Sequence, residues 1–468
     1  FFSPDKQAGF TFSNKNLFEE HLYIDSEKKF YVEIGNDVWI INPLDEPLQK
    51  LSYSTKTKEI KLSDFNAVSG NQTIRFSGSH RNKNDFILSL ITEEVLLENL
   101  IPFSSFLKLA GATSITSHIE RSPIQNKLSF SGAISDLKIN NQFLGDFNLN
   151  TSGNTLLNTY TIKSEVINNT KKSFILSGVW DGLETPNLNL NLDFFDLDLA
   201  FLSPFGRDAI KKFSGKVNGG VRLWGAIDKL KHNGSLNFKK GSFHIPFLNL
   251  DYTIEETDID LNNQFFVFNN VLMEDTSEET SAILNGTFSH NNFKNWQTNL
   301  SISSERMLLL NTTQTPEAFF FGKGFLGGQV RLDGPTKNLK ISLEGNTQLG
   351  TSIKIPWVEN YGLSDTSFIS FIDKSKKTVF SDKSVELMIK EIRGVEMNFD
   401  LDVTNQAEVE IVIDKETGSY LNGRGAGNLF MEINTNGKFN MWGDFITFDG
   451  IYNFKNLGLI DKKFNLKS

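Results

Sequence analysis

Runs in which every second residue is apolar recur along this chain: Phe86/Leu88/Leu90, Leu188/Leu190/Leu192/Phe194, Leu300/Ile302, Met397/Phe399/Leu401/Val403, Val409/Ile411/Ile413 and Leu429/Met431/Ile433. Most residues between them are Ser, Asn, Asp or Glu. A period of two sends alternate side chains to opposite faces, so each run predicts a strand with one apolar face. A short phrase of apolar residue, polar residue and glycine precedes four such runs: Phe76-Ser77-Gly78, Leu176-Ser177-Gly178, Leu284-Asn285-Gly286 and Ile392-Arg393-Gly394. Their spacing of roughly 100 to 108 residues predicts one all-β module written four times, and such periods mean an extended stack.

A second similarity fills in the unit. Gly220-Val221-Arg222-Leu223-Trp224-Gly225 resembles Gly328-Gln329-Val330-Arg331-Leu332-Asp333-Gly334, and 241–246 matches 350–356 after a one-residue shift. The units expected are 74–173, 174–282, 283–391 and 392–468, with 1–73 a degenerate or lateral β segment. Asn233-Gly234, Lys240-Gly241, Asn285-Gly286, Asp333-Gly334-Pro335, Asn422-Gly423, Asn436-Gly437 and Asp449-Gly450 read as hairpin corners. Turns every 13 residues or so would give roughly 35 strands. Pro102–Ala110 and Pro204–Phe213 each fit two helical turns opened by proline, with Thr315–Phe320 in the matching place of the third unit. Asp373–Lys383 is charged and unpatterned, the best candidate for a mobile loop.

A repeat with one apolar face must bury it against something. Sandwiches and barrels bury it against themselves within about 100–250 residues. Periodicity alone fits several such domains as well as it fits one curled sheet. What turns the reading towards an open trough is the absence of any boundary rich in Pro, Ser or charge, and the apolar composition. There are 42 Phe against 8 Tyr and 6 Trp, and Phe gives area without a polar handle, which suits a dry surface. The fold class expected is all-β: an elongated, repetitive, curled sheet forming an open groove, apolar on its concave face, with a few short helices.

Charge and chemistry narrow the function classes. A formal net charge of −9 disfavours a nucleic-acid partner, which needs clustered Lys and Arg. Cysteine is absent, which removes disulfides, thiolate metal sites and a Cys nucleophile. The six His (21, 80, 118, 232, 244, 290) show no ligand spacing. Glu19-Glu20, Glu93-Glu94 and Glu278-Glu279 are adjacent pairs, and neighbours on a strand point to opposite faces, so no pair shares a substrate. Asp196 and Asp198 follow strand alternation without a metal, and 215–220 and 322–327 lack the ending of a phosphate loop. No catalytic residue, metal or cofactor is expected, and the chain reads as a non-enzyme. The candidate site is the set of alternating apolar residues named above, as the lining of the groove.

Three later stretches carry a family resemblance: 422–433, from Asn422-Gly423-Arg424 to Met431-Glu432-Ile433; 443–454, from Gly443-Asp444-Phe445 to Asn453-Phe454; and Lys462-Lys463-Phe464. Together they resemble the C-terminal domain of the TamB (translocation and assembly module) family, within the AsmA-like group. The likeness runs well over about 175–468 and loosely before it. It implies a concave β-taco sheet and a periplasmic place in a Gram-negative envelope. It also implies an inner-membrane anchor outside this chain and an outer-membrane Omp85-type partner such as TamA. The activity implied is passive conduction of phospholipid acyl chains between the two membranes, or support of outer-membrane protein insertion. The competing readings are a multi-domain β-sandwich binding protein of the envelope or cell surface, a carbohydrate-active β-helix, and an outer-membrane barrel. Few Tyr and Trp disfavour the last two.

Overall fold

Strands account for nearly all regular structure in the computed structural model, which describes residues 10–13, 21–26, 30–34, 37–41, 50–100, 107–123, 126–154, 156–182, 186–207, 209–315, 320–356, 394–414, 417–434, 439–456 and 460–467. Twenty-eight strands lie among them. Over the described residues that is one strand for about every 13, the spacing that the turns suggested, and single strands reach 19 residues at Lys294–Thr312. The chain divides into two units: Phe1–Pro246 with Tyr252–Val271 and Ser289–Lys294, and Phe247–Asp251 with Leu272–Phe288 and Asn295–Ser468.

The first unit is dominated by a meander. From Ile60–Ser69 to Lys231–Ile245 eleven strands each pair antiparallel with the next. Its tight corners use residues with positive φ, Asn140-Asn141 (53° and 68°) and Asn169-Thr170 (45° and 72°), as two-residue hairpins require. The expected Asn-Gly corners are elsewhere. Asn233-Gly234 sits inside Lys231–Ile245 opposite Arg222 and Val221, and Asn285-Gly286, Asn422-Gly423 and Asp449-Gly450 also lie within strands. Glycine there serves close cross-strand approach. A Cβ on Gly178 would meet the carbonyl oxygen of Asn189, and one on Gly286 that of Asn299. Asn436-Gly437 lies outside the described residues.

Bulges bend these strands at a recurrent place. Register slips by one residue between Thr92 and Val95, Ile134 and Leu137, and Phe194 and Leu197. At each slip a polar residue takes positive φ: Glu94 (51°), Asp136 (53°) and Asp196 (49°). The freed N–H of each donates to a polar side chain on the following strand: Glu94 to Ser114 Oγ at 3.3 Å, Asp136 to Asp146 Oδ1 at 3.0 Å, Asp196 to Asn218 Oδ1 at 2.9 Å. Asp196 therefore marks a break in alternation and does not follow it. Bulges bend a strand and raise its twist, and aligned bulges curl a sheet.

One contact at the edge of the sheet spans several strands. Asn140 Nδ2 donates to the Phe201 carbonyl at 2.8 Å, although four strands separate the two residues. In a flat sheet that separation would be about 19 Å. Phe201 belongs to a 3₁₀ helix, Ala200–Gly206, which contains Pro204. The expected helix Pro204–Phe213 is replaced by it, and strand resumes at Lys211. Of Pro102–Ala110, residues 102–106 lie outside the described set, and Leu109 begins a strand.

The second unit changes direction. Lys294–Thr312, Phe321–Pro335 and Asn338–Thr347 pair antiparallel, but Asn338–Thr347 pairs parallel with Gly394–Val403, and Ser352–Pro356 parallel with Glu408–Asp414. Both later strands then pair antiparallel with Ser419–Asn434, followed by Phe439–Asn456 and Ile460–Lys467. Parallel neighbours need a crossover of a dozen residues or more, and 357–393 supplies that length. Those residues, with the Asp373–Lys383 stretch and the Ile392-Arg393 part of the fourth repeat phrase, lie outside the described set, as does 316–319. Gly394 opens a strand in parallel register with Asn338, whereas Gly78 and Gly178 oppose Leu88 and Leu190 in antiparallel register. The fourth phrase thus stands in a different setting from the first two.

Candidate functional site

Residues directly opposite in neighbouring strands share a face, so the pairings show which candidate residues stand together. In the first unit, one row runs Phe65, Phe76, Leu90, Ser117, Phe130, Thr151, Ile162, Gly178, Leu190, Leu223. Leu88 opposes Ile119 and Gly78 in a flanking row, with Phe86 two residues before it. Leu188, Leu192 and Phe194 flank Leu190, opposite Trp180, Leu176 and Phe174. The two early candidate runs therefore lie on one face of one sheet.

The second unit repeats the arrangement. Leu300 leads through Leu332 and Ile341 to Met397 and Ile433, and Ile302 through Val330 and Leu343 to Phe399 and Met431. A third row takes Ser304, Gly328, Gly345, Leu401 and Leu429. Val403, Val409 and Ala407 form a buried cluster joined by Ile355, Ile411, Leu429 and Phe445. Ile413 stands apart. It falls at a register slip between Val412 and Asp414 and is 38% exposed.

The bulges divide the first unit's apolar face into two zones. Beyond them Leu137, Leu144, Val166, Leu197 and Val217 are buried together with Leu97, and Leu199, Phe201 and Phe194 pack against them. Before them the rows are open. Phe86, Leu90, Leu188 and Leu192 are half-buried and Leu88 is 37% exposed. Among the candidates of both units only Leu190, Met397, Leu401, Val403, Val409 and Ile433 are buried. In the second unit a small recess, partly open to solvent, is lined by Ile302, Met307, Leu326, Val330 and Leu343 beside Gly328 and Gly345. Val95, Leu137, Leu197 and Met307 were not legible as buried apolar positions because the slip moves them out of phase. The signal was present as an apolar pair spaced by three, such as Phe194 and Leu197, inside an otherwise two-residue period.

Polar chemistry on the described residues is sparse. No group of three or more His, Cys, Asp or Glu is placed to hold a metal among them. Ser89 Oγ lies 2.9 Å from His118 Nδ1, and His118 Nε2 lies 3.8 Å from Glu120. This serine–histidine–carboxylate order arises from cross-strand pairing of Ser89 with His118 on the opposite face from Leu88 and Leu90. One pairing was missed by spacing. His232 and His290, 58 residues apart, meet Nε2 to Nε2 at 2.9 Å and are 2% and 4% exposed. Burial first, and then the charge of His290, lowers the His232 pKa to about 4, and burial lowers that of His290.

No helix among the described residues is long and apolar enough to cross a membrane. No curated protein and no solved structure matches the chain. Residues 269–468 do match a family model, the TamB C-terminal domain. That span holds the parallel step, the glycine row and the last four candidate runs, and over it the chain is similar to TamB C-terminal domains.

Proposed function

We propose that this chain is part of a TamB-like protein of the Gram-negative envelope whose apolar sheet face, on the concave side, conducts phospholipid acyl chains between inner and outer membranes. The observation that carries the reading is the rows rich in Leu, Ile and Phe, broken only by small residues such as Ser117, Thr151 and Gly178, that run from strand to strand and are half-exposed at many positions, Leu88 among them. The Asn140–Phe201 contact across four strands supports curling, and the cluster of Leu137, Leu197 and Phe201 supports an apolar interior of that curl. Side chains from distant strands meet most readily on the inner side of a bend.

An acyl chain in water is opposed by about 0.8 kcal/mol per methylene. A half-open apolar row removes much of that cost along its whole length and leaves the head group in water. A succession of shallow contacts without a deep pocket favours onward movement over retention. By this reading an Omp85-type, TamA-like protein receives the cargo at the outer membrane, and an anchor outside this chain holds the inner membrane. Support of outer-membrane assembly follows from delivering lipid beside that partner. A sandwich alternative requires Greek-key crossovers, which a meander of sequential antiparallel neighbours does not supply.

The test uses a half-exposed position, because the buried Leu190 and Leu401 confound conduction with folding. Leu88→Asp and Leu88→Ala are compared in transfer of a labelled phospholipid between donor and acceptor vesicles. The expected result is near-complete loss for Asp and modest loss for Ala. Equal transfer by the two variants overturns the proposal.

A further inference from the structure

We propose that the His232–His290 pair is a proton-operated clasp that holds three turns of the first unit together at neutral pH and releases them on acidification. The inference is independent of what the apolar face carries.

The tautomers follow from the hydrogen bonds. Phe293 N–H donates to His290 Nδ1 at 3.0 Å, so the His290 proton sits on Nε2 and donates to His232 Nε2 at 2.9 Å. The His232 proton is then on Nδ1, which is buried and has no partner. A further proton has nowhere to go. On His290 Nδ1 it would face the Phe293 N–H, and on His232 Nε2 it would face the His290 N–H. Either way two donors stand head to head, and the rings must part.

What parting releases is also given by geometry. Asn292 holds the neighbouring turn twice, accepting from Leu230 N–H at 3.1 Å and donating to the Ile227 carbonyl at 2.9 Å. Between these turns Gln264 donates to the Leu230 carbonyl at 3.4 Å and accepts from His290 N–H at 3.1 Å. Phe293 has φ 58° and stacks on His290 at 4.4 Å. A bulky residue at positive φ is strained, so the turn relies on that stacking and on the His290 acceptor. The groups packed around the rings are apolar: Leu223 opposite His232, and Phe266 and Phe293 beside it. Nearest these turns in sequence, the charged residues are Arg222, Asp228, Lys229, Lys231, Asp258, Asp260 and Lys294, and the one charge that bears on His232 is that of His290.

Hydrogen exchange of the whole chain, corrected for intrinsic rates, tests this at the turns 226–231 and 290–294, with 139–142 as the internal reference. Protection at the two turns is expected to fall about tenfold or more relative to the reference between about pH 7.5 and about pH 4.5. His232→Asn keeps an acceptor that does not titrate, and His232→Phe replaces the ring with an apolar one. Whichever variant folds is expected to show a flat ratio across that range. A flat ratio in the unaltered chain, or an unchanged pH response in both variants, overturns the clasp.

Discussion

Asp196 and Asn218 hold each other by two hydrogen bonds, Asp196 N–H to Asn218 Oδ1 at 2.9 Å and Asn218 Nδ2 to Asp196 Oδ1 at 2.7 Å. The pair closes a bulge whose partner groups recur at Glu94–Ser114 and Asp136–Asp146. Asn218→Ala leaves the bulge N–H to water and is expected to lower local stability by about 1 kcal/mol, read as faster exchange at 194–198. Asp196→Gly keeps the positive φ at no steric cost and is expected to be much milder. Unchanged exchange at 194–198 in Asn218→Ala would mean that side-chain capping contributes nothing to the bend.

Glycines separate into close-approach cases inside strands and conformational cases at turns. Gly286 has φ +124°, and its Cβ position falls against Asn299 backbone, whereas Gly70 has φ +58° with no atom within 4 Å of the Cβ position. Gly286→Ala is expected to cost about 3 kcal/mol or more and Gly70→Ala about 1 kcal/mol. Urea midpoints of the two variants check the order.

Acid should weaken the first unit through His232. Its pKa in the fold is about 4, below the ordinary 6.5, so as pH falls the unfolded chain takes up the proton first. The stability due to the neutral ring is full above about pH 6.5 and drains away down to about pH 4, by up to about 3 kcal/mol. Denaturation of the unaltered chain and of His232→Phe across this range should show a shallower slope for the variant.

Much of the architecture was legible because strand periodicity is local. Alternation at Leu188–Phe194 and Met397–Val403 required only neighbours in sequence, and each run falls on the apolar face. Three features were hidden for identifiable reasons. Asn233-Gly234 has turn chemistry, but Gly234 is needed for close approach to Val221 in mid-strand. The parallel step from Asn338–Thr347 to Gly394–Val403 depends on a long return of the chain that no local pattern announces. The His232–His290 contact joins side chains 58 residues apart, a separation that no local pattern marks.

The proposed conduit is tested most directly by placing a photo-crosslinking residue on each face of the same strand, at Leu192 against Asn191 and at Met431 against Glu432, in envelopes that contain both membranes. Phospholipid adducts are predicted at Leu192 and Met431 and not at Asn191 or Glu432. Adducts in equal yield on both faces, or on neither, would contradict an apolar face that carries lipid.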